Sequence, residues 1–466
     1  MHFETIVIGA GSGGLTVAIG LANLGRAVAL VEGRHVGGDC TNVGCIPSKT
    51  LIHQARTGAS GAQALAETQH KRNHLRDEET VSVGATEHLT LIHGWARFVA
   101  PRTLEVMGEQ GEQQTISADQ IVVATGSRPC TLDIAGLPAQ RMLTNETVFE
   151  LTEAPRHLTI IGSGVIAMEL AFAFQRLGSR VTIVTRSSRV LERAIPEASQ
   201  ALAVSLVERG IVVYTGGAVE SYDATTMTLQ VRVGGQAMLL DNVDYVLLAV
   251  GRERNVNGVG LEQTGARFGG DGVETDSYGK TTATGVYAIG DVTRTSAYTH
   301  SANAQGRRVV QRIAFPYLPA FGPEALYPDA VFSEPEVAHV GLMPAQIARH
   351  YHPQLIRRIR VDFKDTDRGY TDGLKHGFII VDAVRLTGRI LGATVVGPQA
   401  SELISFFTLA ISERISLYRI YRLVFPYPTY SSGIAKVADA WMRGTLPNII
   451  GELKAYGRYR LVRGTR

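Results

Sequence analysis

Two cysteines near the N-terminus have the spacing of a redox pair. Cys40 and Cys45 are separated by four residues in the run GGDCTNVGCIPSK, which ends at Lys49. Such a pair at the start of a helix can close a small disulfide ring, and the helix N-terminus and a nearby lysine would both favour a thiolate. A zinc site would need two further ligands at matching spacing, but the third cysteine, Cys130, stands alone. The sequence therefore favours redox chemistry and predicts no metal site.

A nucleotide-binding pattern precedes the cysteines. An apolar strand over residues 3–8 leads into Gly9, Gly11 and Gly14, a helix from Leu15 to Leu24, and a strand from Ala27 to Val31 that ends in Glu32. The glycines permit a tight turn and let backbone N–H groups approach a pyrophosphate at the helix N-terminus. The acid after the second strand suits a ribose hydroxyl of a dinucleotide.

The same pattern recurs further along the chain. A strand over residues 158–161 leads into Gly162, Gly164 and Ala167, then a helix and a strand from Val181 to Val184. Thr185 stands as far from Gly162 as Glu32 does from Gly9, and Arg186 and Arg189 follow it. A neutral residue with arginines nearby suits the 2′-phosphate of NADPH, so NADPH is favoured over NADH. The alternative for the arginines is an ordinary solvated loop.

The thirteen residues from Gly37 to Lys49 resemble the redox signature of the flavin-dependent pyridine nucleotide–disulfide oxidoreductases, which include lipoamide dehydrogenase, glutathione reductase and mercuric reductase. The resemblance extends over essentially the whole chain. It implies an α/β fold of two Rossmann-like dinucleotide-binding domains and a C-terminal α+β dimerisation domain, in a homodimer. The expected segments are 1–145 for FAD and the disulfide, 146–280 for NAD(P), 281–322 returning to the FAD domain, and 323–466 for dimerisation.

The resemblance also implies roles for individual residues. Cys45 would be the flavin-proximal, charge-transfer thiol and Cys40 the interchange thiol. Lys49 would lie near the flavin with Glu169 as its carboxylate partner, because a buried lysine without such a partner would lose its proton. The FAD contacts would be Gly9, Gly11, Gly14, Glu32, Lys49, Ala124, Thr125, Gly126 and Asp291. The contacts to the nicotinamide nucleotide would be Gly162, Gly164, Ala167, Arg186, Arg189 and Gly251.

The sequence departs from the family near its C-terminus. Disulfide reductases of this family carry a motif H-P-T-x-x-E, whose histidine and glutamate from the partner subunit exchange protons during thiol exchange. Here the matching residues 425–432 read FPYPTYSS, so Tyr427 replaces the histidine and Ser432 the glutamate. A phenol with a reference pKa of about 10 exchanges protons poorly near neutrality. This disfavours glutathione and lipoamide as substrates, although Tyr427 could instead simply pack at a dimer interface.

Other elements frame these residues. Short buried strands are predicted from Tyr245 to Val250 and from Gly285 to Ile289, and a Pro- and Gly-rich boundary from Pro316 to Pro328. The C-terminal block is predicted to hold strands at 356–363, 377–384 and 390–396 and a helix from Ser401 to Glu413. The segment from Lys454 is interpreted as a solvated basic tail with Arg458, Arg460, Arg463 and Arg466.

Composition excludes several classes of protein. Lys+Arg 46 against Asp+Glu 43 leaves a net charge of +3, which argues against a nucleic-acid binder. No apolar run approaches the ~18–20 residues of a transmembrane helix. Three cysteines in 466 residues argue against a disulfide-stapled secreted protein, so a reducing cytoplasm is expected.

Three functional hypotheses remain open. The first is a flavoenzyme that passes electrons from NADPH to an acceptor needing little general-base help, such as a quinone, a metal ion or a redox protein. The second is a dihydrolipoamide- or glutathione-type disulfide enzyme in which another group replaces the missing histidine. The third is a redox-sensing flavoprotein whose output is a conformational change in a partner.

Overall fold

A computed structural model describes residues 1–295, 298–318 and 326–460. The described chain forms two compact units. Unit 1 comprises the described residues of Met1–Gly162, Ala173–Val181 and Val219–Glu324, and unit 2 those of Ser163–Phe172, Thr182–Ala218 and Ala325–Arg466. The predicted boundary between residues 322 and 323, and the tail residues Arg463 and Arg466, lie outside the described residues.

Unit 1 is built on a seven-stranded sheet. Its strands, in sheet order, are Leu89–His93, Val28–Glu32, His2–Ile8, Gln113–Val123, Thr103–Met107 and Trp95–Ala100, with Val286–Ala288 also paired to Gln113–Val123. The two N-terminal strands and those beside them run parallel, whereas the last two strands in the order above are antiparallel. Ile6, Val7 and Leu30 are fully buried, as expected for parallel strands covered on both faces.

Helices cover this sheet, and two of them contain Cys40 and Cys45. They are Ser12–Ala22, Gly38–Asn42, Cys45–Thr57, Gly61–Gly84 and Thr299–Ala314. The first helix begins at Ser12, three residues before the predicted start, because Gly13 and Gly14 already belong to its first turn. Gly306 on the last helix lies close to the first helix, where an added Cβ would be 3.0 Å from both the Gly13 carbonyl oxygen and the Thr16 Cβ.

Smaller strands complete unit 1. Tyr245–Leu248 lies between His157–Ile161 and Met142–Leu143 in a parallel arrangement. A two-stranded ribbon pairs Arg252–Arg254 with Ser127–Pro129. The remaining pairs are Thr228–Val233 with Gln236–Leu240 and Phe268–Gly269 with Gly272–Val273. The strands predicted from Tyr245 to Val250 and from Gly285 to Ile289 are confirmed, although each is shorter than expected.

Unit 2 contains part of the second nucleotide pattern. Residues Thr182 to Thr185 of the strand Arg180–Thr185 pair in parallel with Val212–Thr215. The helix Pro196–Glu208 also lies in this unit. Three elements continue from one unit into the other along the chain, namely the helix Val165–Arg176 and the strands Arg180–Thr185 and Gly217–Asp223.

The C-terminal part of unit 2 is an antiparallel sheet with helices. The strands, in sheet order, are Asp329–Val331, Val337–Gly341, Ile390–Val396, Phe378–Val384 and Ile356–Asp362. The helices are Pro344–His350, Asp367–Thr371, Ala400–Ser412, Leu417–Tyr421, Ser432–Thr445 and Ile449–Arg460. The three predicted strands and the predicted helix are confirmed to within one residue. The expected basic tail is helical as far as Arg460.

Candidate active site

The first glycine loop has the geometry of a phosphate-binding turn. Gly9 has φ +100°, and a Cβ there would run into the carbonyl oxygen of Ala124. A Cβ on Gly14 would run into the carbonyl oxygen of Gly9. The N-cap of the helix is Gly11, which has no side chain to accept the first helical N–H groups. Those N–H groups therefore face outward for an anion such as a pyrophosphate.

Glu32 lies beside this loop at the end of the second strand. Its Oε2 accepts a hydrogen bond of 2.7 Å from the backbone N–H of Ala10, and its Oε1 accepts one of 2.7 Å from the backbone N–H of Arg34. These bonds fix the carboxylate against the loop while each oxygen retains a lone pair. A carboxylate held here suits a ribose hydroxyl, so the residues of this loop fit the dinucleotide FAD.

The redox segment is joined directly to the glycine loop. The backbone N–H of Gly37 donates to the carbonyl oxygen of Ala10 at 2.9 Å, and Gly37 forms an isolated parallel bridge with Gly11. Cys40 lies in the short helix Gly38–Asn42, and Cys45 is the first residue of the helix Cys45–Thr57. The predicted helix start is thus confirmed for Cys45, while Cys40 occupies a separate turn.

The two cysteines contact each other and Thr299. Cys40 and Cys45 are joined by a side-chain hydrogen bond, and the Cys45 Sγ is 3.4 Å from the Thr299 Oγ1. The Cys45 hydrogen bond and burial raise the pKa of the Cys40 thiol, while the Thr299 hydroxyl opposes this rise. These effects disfavour a thiolate at Cys40, whereas the helix N-terminus and Lys49 were expected from the sequence to favour a thiolate in the pair.

A polar network surrounds the redox segment, with Arg252 at its centre. Arg252 pairs with Asp39, the residue before Cys40. It also donates to the Oγ of Ser127 at 2.7 Å, to the Ser127 carbonyl oxygen at 2.8 Å and to Asn145 at 3.3 Å. The Ser127 hydroxyl in turn donates to Asp291 at 2.7 Å. The network therefore links the redox segment to Asp291.

The two other predicted FAD segments are fixed by local hydrogen bonds. The Thr125 Oγ1 donates to the carbonyl oxygen of Asn255 at 2.9 Å, and the Asn255 side-chain amide donates to the Thr125 carbonyl oxygen at 2.8 Å. The backbone N–H of Asn255 donates to Gly126 at 3.0 Å, and the N–H of Gly290 donates to Gln305 at 2.7 Å. These bonds hold the 124–126 turn and the residue before Asp291 within unit 1.

The second glycine loop repeats the backbone geometry of the first. Gly162 has φ +112°, and a Cβ there would run into the carbonyl oxygen of Ala249. Gly251, two residues after Ala249, has φ +130°. An added Cβ at Gly164 would meet nothing, and Ala167 carries its own Cβ fully buried.

The residues after the second loop differ in charge from Glu32. Thr185 is 4% exposed, and its hydroxyl is 3.0 Å from the Ser163 Oγ and accepts from the Ser187 N–H at 3.2 Å. Arg186 is exposed. Arg189 is half-buried and donates one Nη2 group to the carbonyl oxygens of Glu192 at 2.6 Å and Ala194 at 3.1 Å.

Lys49 and Glu169 belong to different units, and their predicted pairing stays a prediction. Lys49 is half-buried on the helix Cys45–Thr57, one turn after Cys45. Glu169 is 4% exposed on the helix Val165–Arg176, and its Oε1 accepts from the backbone N–H of Phe332 at 3.1 Å.

Tyr427 and Ser432 do not interact as a dyad would. The side chain of Tyr427 is 75% exposed. Ser432 begins the helix Ser432–Thr445, and its hydroxyl donates to the Thr429 carbonyl oxygen at 2.6 Å. Neither side chain therefore offers a histidine-like base within this chain.

Four residues near the redox pair were missed by the sequence analysis. They are Glu79, Ser127, Asn145 and Arg252. Glu79 accepts from the Thr41 hydroxyl at 3.2 Å, and burial raises the pKa of its carboxyl group. Its Oε2 is buried without a hydrogen-bond partner among the described residues. Only the position of Arg252 directly after Gly251 gave any signal in the sequence.

Within residues 1–295, 298–318 and 326–460, no three His, Cys, Asp or Glu side chains gather as ligands for a metal ion. In the same part of the chain, no helix has both the length and the apolar character needed to span a membrane.

Two family models match the chain. The model described as pyridine nucleotide-disulphide oxidoreductase matches residues 3–306, and the dimerisation domain of the same family matches residues 327–438. Together they span both units.

Known proteins resemble the chain over nearly its full length. A dihydrolipoyl dehydrogenase from Thermus scotoductus is 33% identical, with 94% of this chain and 97% of the relative covered. A mercuric reductase from Streptomyces lividans is 31% identical over 94% of this chain and 96% of the relative. The Cu(II) complex of the HOCl-induced flavoprotein disulfide reductase RclA from Escherichia coli superposes with a TM-score of 0.86 at 25% identity, covering 94% of this chain and 99% of RclA.

Proposed function

The chain belongs to the pyridine nucleotide-disulphide oxidoreductase family, and we propose that it passes electrons from NADPH through FAD and the Cys40–Cys45 pair to an acceptor other than a small disulfide. Membership confirms the family and the fold class predicted from the sequence. The family supports FAD as the cofactor. The observation that carries the proposal is the backbone bridge between Gly11 and Gly37, which places the dinucleotide loop against the redox segment.

The loop from Gly9 to Gly14 and Glu32 would hold FAD, which would supply two-electron chemistry between the reduced nicotinamide and the disulfide. We assign Cys45 as the thiol nearer the flavin and Cys40 as the thiol that meets the acceptor. The raised pKa of Cys40 supports this division, because a proton retained on Cys40 leaves Cys45 to carry the thiolate. On transfer to an acceptor, the Cys40 thiol and the Cys45 thiolate give up two electrons and one proton and close again to the disulfide.

The residues after the second glycine loop support NADPH as the electron donor. Thr185 leaves this position neutral, whereas a carboxylate would repel a 2′-phosphate. The exposed guanidinium of Arg186 is the group we assign to that phosphate. Arg189 would contribute through its remaining N–H groups, since its Nη2 holds the loop carbonyls.

Lys49 and Glu169 are proposed as the ion pair beside the flavin. Glu169 is buried, and its Oε1 accepts a hydrogen bond from the backbone N–H of Phe332. A buried lysine in such a site needs a carboxylate partner.

The acceptor is proposed to be a quinone, a metal ion or a redox protein. Thiol–disulfide exchange with a small disulfide needs a positioned base and acid, which typically give ~10²–10⁴-fold. Tyr427 is exposed, and Ser432 donates to a backbone carbonyl, so neither supplies that help. The relatives named mercuric reductase and the Cu(II) complex of RclA make metal ions a specific arm of this proposal.

A second candidate is a dihydrolipoamide-type disulfide oxidoreductase. It is favoured by the names of relatives such as the dihydrolipoyl dehydrogenase of Thermus scotoductus. It would require a group other than Tyr427 to exchange the proton of Cys40.

We further propose that the chain acts as a homodimer in the cytoplasm. Residues 327–438 match a dimerisation domain, and a two-fold dimer would place Tyr427 of one chain at the redox pair of the other. The small number of cysteines suits a reducing compartment.

The test is a substrate comparison at neutral pH. NADPH oxidation is measured with lipoamide, glutathione disulfide, a benzoquinone, Cu(II) and Hg(II), with the Cys40→Ser variant as control for reactions at the flavin itself. Quinone or metal reduction at least about tenfold faster than disulfide reduction, and dependent on Cys40, supports the proposal. Fast lipoamide turnover that is unchanged in Tyr427→Phe would favour the second candidate. Absence of turnover with every acceptor would favour the redox-sensing alternative.

A further inference from the structure

The redox segment is held at one residue before Cys40 and at one residue between Cys40 and Cys45. Asp39, directly before Cys40, is paired with the guanidinium of Arg252. Val43, two residues before Cys45, has a carbonyl oxygen that accepts from the Asn145 side-chain amide at 3.3 Å. Asn145 itself accepts from Arg252 at 3.3 Å. The Arg252 guanidinium therefore contacts the cysteine segment directly at Asp39 and indirectly, through Asn145, at Val43.

Arg252 is itself fixed in place. Its Nε and Nη2 donate to the hydroxyl and the carbonyl oxygen of Ser127 at 2.7 and 2.8 Å. Its backbone belongs to the ribbon in which Arg252 pairs with Pro129 and Arg254 with Ser127. The side chain is 23% exposed, and Asn145 is 7% exposed. A planar fork with several bonds to a rigid ribbon loses little further freedom when it holds a third group.

The contacts of Arg252 with Asp39 and, through Asn145, with Val43 affect the equilibrium between the dithiol and the disulfide. Closing a disulfide from two thiols depends on how closely the protein holds them together, which is their effective concentration. When the disulfide is reduced, the covalent link is lost. The two cysteines are then kept close only by the fold and by non-covalent contacts such as those at Asp39 and Val43. Contacts that fix both Asp39 and Val43 raise the effective concentration of the thiols, and so favour the disulfide over the dithiol.

We propose that Arg252 is a positioning residue that acts as a clamp: it fixes Asp39 before Cys40 and, through Asn145, Val43 between the two cysteines, and thereby sets the dithiol–disulfide equilibrium of the pair. The inference rests on the proposed function only in that the pair is taken to be redox-active. In the measured reaction, the disulfide takes two electrons and two protons from dithiothreitol, which closes to its cyclic disulfide. The clamp should make the protein's disulfide harder to reduce.

The test uses the full chain with its FAD. Wild type and variants are equilibrated with mixtures of reduced and oxidised dithiothreitol at pH 7, then alkylated and counted by mass spectrometry, with Cys130 adding one label in both states. Loss of the charge-assisted bonds in Arg252→Met should lower the equilibrium constant for the disulfide about tenfold, which corresponds to about 30 mV. Arg252→Lys should fall between Met and wild type, because lysine keeps the charge beside Asp39 but not the fork.

Arg128→Met is the matched control. Arg128 lies on the same ribbon and pairs with Glu253 at 2.8 Å, both about half exposed, without touching the cysteine segment. Its equilibrium constant should stay within about twofold of wild type, because exposed pairs contribute little. If Arg252→Met fails to fold, Asp39→Asn and Asn145→Ala carry the test, and each should lower the constant.

The outcomes separate this inference from the proposed function. Values for Arg252→Met equal to wild type and to Arg128→Met would overturn the clamp and leave the redox pair intact. Full rescue by Arg252→Lys would also overturn it, since charge alone would then suffice. A wild-type protein that forms no Cys40–Cys45 disulfide in any mixture would instead reject the redox pair itself.

Discussion

The two glycine loops share a backbone conformation and differ in the residue that ends the next strand. Gly9 and Gly162 both have positive φ. A Cβ on Gly9 would collide with the carbonyl oxygen of Ala124, and a Cβ on Gly162 would collide with that of Ala249. Each of these alanines directly follows a strand. The next strand ends in Glu32 after the first loop and in Thr185 after the second. The shared backbone conformation is one that lets N–H groups approach a phosphate closely.

The side chains after the two loops make parallel contacts with different charge. Glu32 accepts from the N–H of Arg34 two residues later, and Thr185 accepts from the N–H of Ser187 two residues later. The local turn is thus supported in the same way by a carboxylate and by a hydroxyl. The comparison shows that the charge at this position differs between the two loops while the same turn is kept. Only the first loop is bridged to a redox segment among the described residues, through Gly37.

The largest expected effect contrasts the glycines of the two loops. Gly14→Ala should abolish FAD binding, because its Cβ would collide with the Gly9 carbonyl oxygen and force the loop open. Gly164→Ala should fold normally and retain FAD, because nothing lies within reach of its Cβ. The ratio of flavin to protein after purification measures both. Equal flavin content in the two variants would show that the first loop tolerates a Cβ at Gly14.

The next prediction tests the charge difference. Arg186→Ala should raise the KM for NADPH about 10- to 100-fold, since a charge-assisted bond contributes ~1.5–3 kcal/mol, and should leave the KM for NADH nearly unchanged. Steady-state kinetics with both nucleotides and one fixed acceptor give the comparison. Arg189→Ala is the companion variant. Parallel losses with NADH and NADPH would mean that Arg186 only shapes the loop.

The redox pair beside the first loop predicts a pH effect. Because the hydrogen bond from Cys45 and burial raise the Cys40 pKa, the Cys40 thiol should alkylate slowly in the reduced protein up to about pH 9. Removing the partner in Cys45→Ala should lower that pKa and speed alkylation at pH 8 about tenfold. The raised pKa works against the fold: it contributes no stability change below the ordinary thiol pKa, and stability falls as the pH rises above that value, where the unfolded thiol ionises first.

The rate of iodoacetamide labelling at Cys40, followed by peptide mass spectrometry across about pH 6–10, checks this. Cys130 provides an internal reference outside the pair. A Cys40 profile identical in the wild type and in Cys45→Ala would contradict the coupling between the two thiols.

The smallest effect concerns Glu32. In Glu32→Gln, one of the two backbone N–H groups held by the carboxylate loses its acceptor, and the charge opposite the ribose is removed. FAD release from the holoenzyme should accelerate about fivefold, in line with a loss of roughly 1 kcal/mol. Free-flavin fluorescence after dilution follows the release. Unchanged release would mean that Glu32 supports the turn without contacting the cofactor.

Local signals identified much of the fold and of the chemistry. The glycine spacing and the apolar runs predicted both loops, and the strands at 390–396 and 378–384 were found to within one residue because they are buried throughout. The helix Gly61–Gly84 was missed because its mixed polar sequence has no clear apolar face. The family was identified from residues 37–49, where short-range chemistry requires particular residue types at fixed spacing.

The sequence by itself determined the glycine turns, the cysteine pair, the neutral residue at 185 and the absence of a histidine at 427. Each is a property of one residue type at one place in a short motif. Tertiary structure alone decided which side chains meet the pair, since Arg252 reaches Asp39 from 213 residues further along the chain. It also decided that the pKa of Cys40 is raised, because burial and the contact with Cys45 exist only after folding.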